Sequence, residues 1–224
     1  MPKAYVFCPS HILNNDKINI PENIINDACV VSDIYIAADS GIETALKFNI
    51  RPHILIGDFD SIALSDEFEK YNINDIKIIK YPAMKDDTDS MLAVKYALES
   101  GYKNIVIIGG LDGRIDHTLA NLYLLKYIKN HGGFGCITNG YNKITYLANA
   151  SVKIYKKYKY VSVMPVSSEI RGVTLTGFRY ELKNASVRYE EPYTVCNEIS
   201  ENAEYGEISI TNGEALICEC DDML

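Results

Sequence analysis

The 224-residue sequence predicts an α/β domain with a Rossmann-like, mostly parallel sheet, followed by a small antiparallel β-sandwich domain. Two observations carry this. As far as about residue 135, short apolar runs alternate with helical patterns, the signature of a parallel sheet with crossover helices. Beyond Ile137 no helical period lasts more than a turn or two, and short β-rich segments separated by turn signals take over.

In chain order, the strands expected in the first part are 5–8, 34–38, 54–56, 76–79 and 105–108. Each is a continuous apolar run without polar alternation, as in strands buried on both faces. Helices are expected at 42–48, 66–71, 90–99 and 117–130. The third carries Met91, Leu92, Val94 and Leu98 and stops at Ser100-Gly101. The fourth carries Leu119, Leu122, Leu125 and Ile128 and stops at Gly132-Gly133. The later segments 144–147, 160–164, 173–176, 208–211 and 215–218 read as strands. Asn139-Gly140 and Asn212-Gly213 are hairpin dipeptides, the second between residues 208–211 and 214–217. The run Lys156-Lys157-Tyr158-Lys159 reads as a solvated strand edge. The change of pattern divides the chain into 1–138 and 139–224.

With 47% hydrophobic and 23% charged residues, the chain can bury a packed core. A net charge of −8 argues against a nucleic-acid binder, which needs a basic face. No run approaches the roughly 20 apolar residues of a membrane span, and the first ten residues lack the design of a signal peptide. The six cysteines are scattered without a Cys-x-x-Cys pair, which favours buried reduced thiols over a zinc site or a disulfide framework. The expected setting is the cytoplasm, with no membrane partner.

The chemistry gathers in one third of the chain. Ten of the 15 aspartates lie between Asp39 and Asp116, most of them just after an expected strand. Ligands of open α/β sheets bind outside the carboxyl ends of strands. Carboxylates brought to one edge repel one another unless a cation joins them, and oxygen-only ligands point to Mg²⁺. Some of these aspartates suit helix caps and turns equally well, and Asp66 and Asp75 are read that way. Gly57-Asp58-Phe59-Asp60-Ser61, with two carboxylates flanking one residue after an apolar strand, reads as a metal-holding turn. In Gly109-Gly110-Leu111-Asp112-Gly113-Arg114-Ile115-Asp116-His117, glycines follow a strand and precede a helix, so backbone N–H groups are available to phosphate, and Arg114 adds a planar cation. His117 and Asn121, one turn apart, either line the same mouth or cap the helix.

Four blocks, Ala38-Asp39-Ser40-Gly41, residues 51–61, Lys85-Asp86-Asp87-Thr88-Asp89 and residues 109–117 with Asn121, resemble the thiamine pyrophosphokinase family in order and spacing. The later segment 172–180 resembles the same family's β domain, so the resemblance spans nearly the whole chain. It implies that 1–138 is a nucleotide-binding catalytic domain and 139–224 a thiamine-binding and dimerisation domain. It also implies a homodimer with active sites at the subunit interface. The implied reaction transfers diphosphate from ATP to the hydroxyl of thiamine, giving thiamine diphosphate and AMP. By matching position, Asp58, Asp60, Asp89 and Asp116 would hold Mg²⁺ and the phosphates, and Arg114 would neutralise the transferring group. Asp39, Ser40, Lys85, Thr88, Gly110, His117 and Asn121 would lie near ATP. Thr194, Cys196 and Asn197 would contact thiamine, with Cys196 standing where the family usually has serine. Asp86 is a candidate base for the hydroxyl proton. An acidic pocket suits the cationic thiazolium ring. The alternatives are a diphosphokinase for another alcohol such as a hydroxymethylpterin, a non-catalytic nucleotide or metal sensor, and a metal-dependent phosphohydrolase.

Overall fold

The computed structural model describes residues 1–13, 32–58, 75–82 and 86–222, which fall into two compact units, Met1–Gly140 and Tyr141–Leu224. In the first unit β1 (Lys3–Phe7), β2 (Ile34–Ala38), β3 (Ile54–Gly57), β4 (Lys77–Lys80), β5 (Asn104–Ile108) and β6 (Phe134–Thr138) run in the spatial order β4-β3-β2-β1-β5-β6. Every one of these pairings is parallel, with Val6 of β1 between Ile36 and Ile107. The apolar runs are buried for the reason anticipated. Tyr5, Phe7, Tyr35, Ala37 and Leu55 face one side, where Ile42 and Ala45 of α1 (Gly41–Lys47) pack on them. Successive residues of a strand point to opposite faces, so Val6, Ile36 and Ile56 turn to the other side. Each fully buried Ile or Leu here contributes about 1.5–3 kcal/mol.

Helix α2 (Asp89–Glu99) packs on β1, β2 and β3, and α3 (Ile115–Asn130) on β6 and α2. The expected helix 66–71 lies outside the described residues. Two expectations change. Strand β4 is largely exposed rather than buried on both faces, and lysines flank its Ile78 and Ile79 as on a protected edge. Helix α3 buries Asn121, Leu124, Leu125 and Ile128, whereas Leu119 turns out to solvent beside Ile115 and Tyr123. Strand β6 was not among the expected strands at all.

The second unit contains β7 (Asn142–Ala148), β8 (Ser151–Tyr155), β9 (Tyr160–Pro165), β10 (Glu169–Thr176), β11 (Leu182–Arg188), β12 (Tyr205–Ser209) and β13 (Glu214–Cys220). They form two antiparallel arrays, β7-β13-β9 and β11-β10-β12-β8. Leu147, Val163 and Ile217 of the first and Ile154, Val173, Val187 and Ile208 of the second share one apolar cluster, which makes a sandwich. Asn212-Gly213 does not close the expected hairpin. β12 and β13 belong to different arrays, and the dipeptide carries the chain across: Asn212 exchanges backbone bonds with Arg171, and the Gly213 N–H donates to Asn149 Oδ1 at 2.9 Å. The lysine run 156–159 is the turn between β8 and β9, not a strand edge. Among the described residues, no helix is long and apolar enough to cross a membrane.

Because the first unit's strands are parallel, their carboxyl ends share one edge. Cys8 follows β1, Asp39 follows β2, Asp58 follows β3 and Gly109 follows β5.

Candidate active site

Two adjoining recesses open on that edge. The first, of about 250 Å³, lies between Asp39, Thr88 and Asp89 at the start of α2, and His117 and Asn121 on α3, with Cys8 on its wall. The second, of about 270 Å³, is bounded by His11, Gly110, Gly113, Arg114 and His117. Pro9, His117 and Asn121 line both.

Local chemistry sets each of these residues. Asp39 has a φ of 48°, a left-handed turn that Asp tolerates, and its N–H donates to the Ile56 carbonyl at 2.8 Å. Thr88 caps α2, its Oγ1 accepting the Met91 N–H at 3.2 Å. Asn121 is buried and does not cap its helix. It accepts the Ser90 hydroxyl at 2.7 Å and donates to the Gly110 carbonyl at 2.9 Å, while Ser90 Oγ lies 3.1 Å from Thr88 Oγ1. This chain of polar contacts ties α2, α3 and the glycine turn together. Gly110 has a φ of 71°, and a Cβ there would sit 2.6 Å from the Asn121 amide nitrogen, so any larger residue is both strained and obstructed. Burial, and then the charge of Asp89, push the Cys8 thiol up to about 12, so the thiol forms a neutral wall.

Arg114 and Asp116 are held together. Arg114 Nε and Nη2 donate to the two carboxylate oxygens at 3.1 and 2.5 Å, and Asp116 Oδ1 also accepts the His117 N–H at 2.9 Å. The Arg114 hydrogen bonds hold the Asp116 carboxyl below its ordinary range, and Asp116 raises the Arg114 guanidinium further. Both side chains are exposed, so the pair stands open to solvent and is weakened by screening.

Not every expected residue reaches the cleft. Asp58, half-buried after β3, Ser40 at the start of α1, exposed Asp86, and Asp116 line neither recess. Asp87 is taken up by Lys95 at 2.5 Å. Asp60 and Lys85 lie outside the described residues. Among the described residues, no three His, Cys, Asp or Glu side chains stand close enough to hold a metal ion. A set of carboxylates closing on one ion is therefore not assembled from Asp58, Asp89 and Asp116.

In the second unit, a recess of about 220 Å³ lies between Leu175, Tyr180, Tyr193, Thr194 and Asn197. Asn197 is buried and secures its wall: Nδ2 donates to the Tyr180 carbonyl at 2.7 Å, while Oδ1 accepts the N–H of Tyr180 at 3.1 Å and of Glu198 at 2.9 Å. Thr194 Oγ1 donates to the Val163 carbonyl at 2.5 Å. Cys196 stands outside the lining, exposed, with a φ of 59° and its N–H on Ser162 Oγ at 3.0 Å.

The sequence reading missed Cys8, Pro9 and His11 after β1, and Ser90 as the bridge between Thr88 and Asn121. Position alone could have found the first three, since they follow a strand at the same edge as the aspartates.

The family model of the thiamin pyrophosphokinase catalytic domain matches residues 26–133, and that of the thiamin pyrophosphokinase vitamin B1 binding domain matches residues 150–214. The chain is 35% identical over 187 residues to a thiamine pyrophosphokinase of Bacillus subtilis, covering 80% of this chain and 86% of the relative. It is 26% identical over 196 residues to thiamin pyrophosphokinase 1 of Caenorhabditis elegans, covering 81% and 76%. The crystal structure of the Bacillus subtilis thiamine pyrophosphokinase superposes with a TM-score of 0.84 at 26% identity, covering 99% of this chain and 100% of that one. That of the thiamin pyrophosphokinase from Geobacillus thermodenitrificans gives 0.80 at 27% identity, with 100% of each chain covered.

Proposed function

The chain belongs to the thiamin pyrophosphokinase family, and on that premise we propose how it works. It is a thiamine diphosphokinase that uses ATP as co-substrate. The hydroxyl oxygen of thiamine attacks the β-phosphorus of ATP, and the bond from that phosphorus to the oxygen bridging the α-phosphorus breaks. AMP leaves, the diphosphate stays on thiamine, and the hydroxyl proton passes to a base.

The cleft of the first unit is the nucleotide site. Gly113 and the N-terminus of the 16-residue α3 turn N–H groups toward the phosphates, Gly110 holds the glycine turn by its bond to the Pro9 carbonyl, and Arg114 leaves Asp116 to meet the phosphates. Asp39, Ser40, Lys85, Thr88, His117 and Asn121 surround the nucleotide. Asp58, Asp60, Asp89 and Asp116 are the ligands proposed for Mg²⁺, and their all-oxygen donor set fits it. Mg²⁺ commonly takes only one or two protein carboxylates and fills its remaining positions with phosphates and water, so a three-residue cage is not required. When bound, the ion draws charge off the phosphates. Asp86 accepts the hydroxyl proton.

The second unit binds the acceptor. Tyr180 and Tyr193 offer aromatic faces to a cationic ring, Thr194 and Asn197 hold the wall behind them, and Cys196, exposed outside the lining, is the further thiamine contact assigned by its match to the family's serine. The enzyme acts as a cytoplasmic homodimer. The exposed apolar side chains Ile115, Leu119 and Tyr123, spaced one turn apart on α3, support that reading, because a partner commonly covers such a surface.

The observation that carries the proposal is the succession of the two family matches along one chain, the first ending on the unit with the cleft and the second spanning the tyrosine-lined recess. An acceptor panel tests it. With Mg-ATP, thiamine is expected to gain the mass of a diphosphate and a hydroxymethylpterin to stay unchanged; the reverse would reassign the second unit.

A further inference from the structure

The turn after β1 is built to present His11. Leu13 is fully buried in the core of the first unit, and the buried Ser10 hydroxyl accepts the Leu13 N–H at 3.1 Å. The same hydroxyl donates to Asp112 Oδ1 at 2.9 Å. The other Asp112 oxygen accepts the N–H groups of His11 and, at 3.1 Å, Ile12. From across the glycine turn, the Gly110 N–H donates to the Pro9 carbonyl at 3.1 Å. A side chain about 100 residues away thus takes three hydrogen bonds from one short turn. None of these bonds involves the His11 imidazole. Its ring edge lies against Gly113, where a Cβ would stand 3.5 Å from Cδ2 and 3.7 Å from Nε2, and it lines the recess next to Arg114 and His117.

We propose that His11 contacts the phosphate chain of the bound nucleoside triphosphate, and that Asp112 is the positioning residue that fixes the turn carrying it. This rests on the reading of the cleft as the nucleotide site. An imidazole N–H can donate to a phosphate oxygen whether or not the ring is charged. Asp112 itself is spent on the turn. Its negative charge therefore serves to hold a donor beside the phosphates and is offset by the three N–H and O–H dipoles it accepts.

The test compares wild type with His11→Ala, His11→Gln, Asp112→Asn, Asp112→Ala and the double alanine variant. Equilibrium binding of ATP and of AMP and the KM for each substrate are read alongside a thermal melt. His11→Ala is expected to weaken ATP binding about tenfold, the scale of one hydrogen bond to a charged group. AMP binding and the thiamine KM should stay within about twofold. His11→Gln, which keeps an N–H donor, should recover part of the loss. Asp112→Ala should reproduce the His11→Ala defect, Asp112→Asn should give a smaller one, and the double variant should be no worse than either single, because the two changes remove one contact. Unchanged ATP binding in His11→Ala would overturn the phosphate contact. Additive losses in the double variant would overturn the positioning role of Asp112. Because binding is read without turnover, both results hold whether or not thiamine is the acceptor, and a failure of the thiamine reaction is seen separately.

Discussion

Arg114 and Asp116 are paired with each other at the rim of the cleft, and that pairing governs how each responds to pH. Asp116 sits below the ordinary carboxylate range because ionisation keeps the Arg114 bonds, so the pair persists as pH falls through the usual carboxylate values and is lost only lower. The acid limb of the rate profile is therefore expected to survive Asp116→Asn unshifted in whatever activity remains. A limb that moves with this variant would assign the titration to Asp116. Asp58→Asn and Asp116→Asn are each expected to melt within a few degrees of wild type and to lose about 100-fold or more in kcat, the scale of removing a charge-stabilising group. Thiol mapping checks the two cysteine environments. With its pKa pushed up to about 12, Cys8 should resist alkylation at pH 8, whereas exposed Cys196 should label first. Cys196→Ser should bind thiamine equally well or more tightly, and a large loss would mean that the matching of Cys196 to the family's serine is wrong. At this scale the sequence disclosed residue types but not their bonds. The Asp-rich run 85–89 could be read as chemistry, yet Asp87 is spent on Lys95 and Asp112 on the turn after β1, pairings made by tertiary structure.

Elements explain which of those side chains meet. The Thr88 cap and the Ser90–Asn121–Gly110 contacts couple the start of α2 to α3, so the cleft depends on how these two helices meet. Thr88→Ala should cost about 1 kcal/mol through the lost cap. Asn121→Ala should cost about 1–3 kcal/mol, because the Gly110 carbonyl and the Ser90 hydroxyl lose a buried partner. Denaturant unfolding measures both, and an Asn121→Ala variant as stable as wild type would show that this bridge does not hold the helices together. The central strands and α2 were legible because burial on both faces leaves an unbroken apolar run, and because Thr88 and Ser100-Gly101 mark the helix ends. Strands β8 and β11 were not. They are the two edges of the β11-β10-β12-β8 array and bury little, as in the largely exposed sequence of β11. Strand β6 hid behind glycines: a Cβ at Gly135 would stand 2.7 Å from Ile128, so the residue that reads as a loop is the one that lets α3 sit down on the strand. The Asn212-Gly213 signal was a real turn but joined different arrays, which no short-range pattern specifies.

At the scale of the whole molecule, one chain carries a cleft in its first unit and an aromatic recess in its second; the first family match takes in all of the cleft's lining but the turn after β1, and the second spans the recess. The homodimer proposed here predicts a mass of two chains by light scattering across a dilution series. A monomer with full activity would overturn it. The central claim, transfer of diphosphate from ATP to thiamine, is tested most directly by following AMP, ADP and phosphate from Mg-ATP with and without thiamine. AMP is expected in amounts equal to thiamine diphosphate and dependent on thiamine, with neither ADP nor free phosphate. Phosphate or ADP released at the same rate without thiamine would contradict the transfer and make the cleft that of a hydrolase.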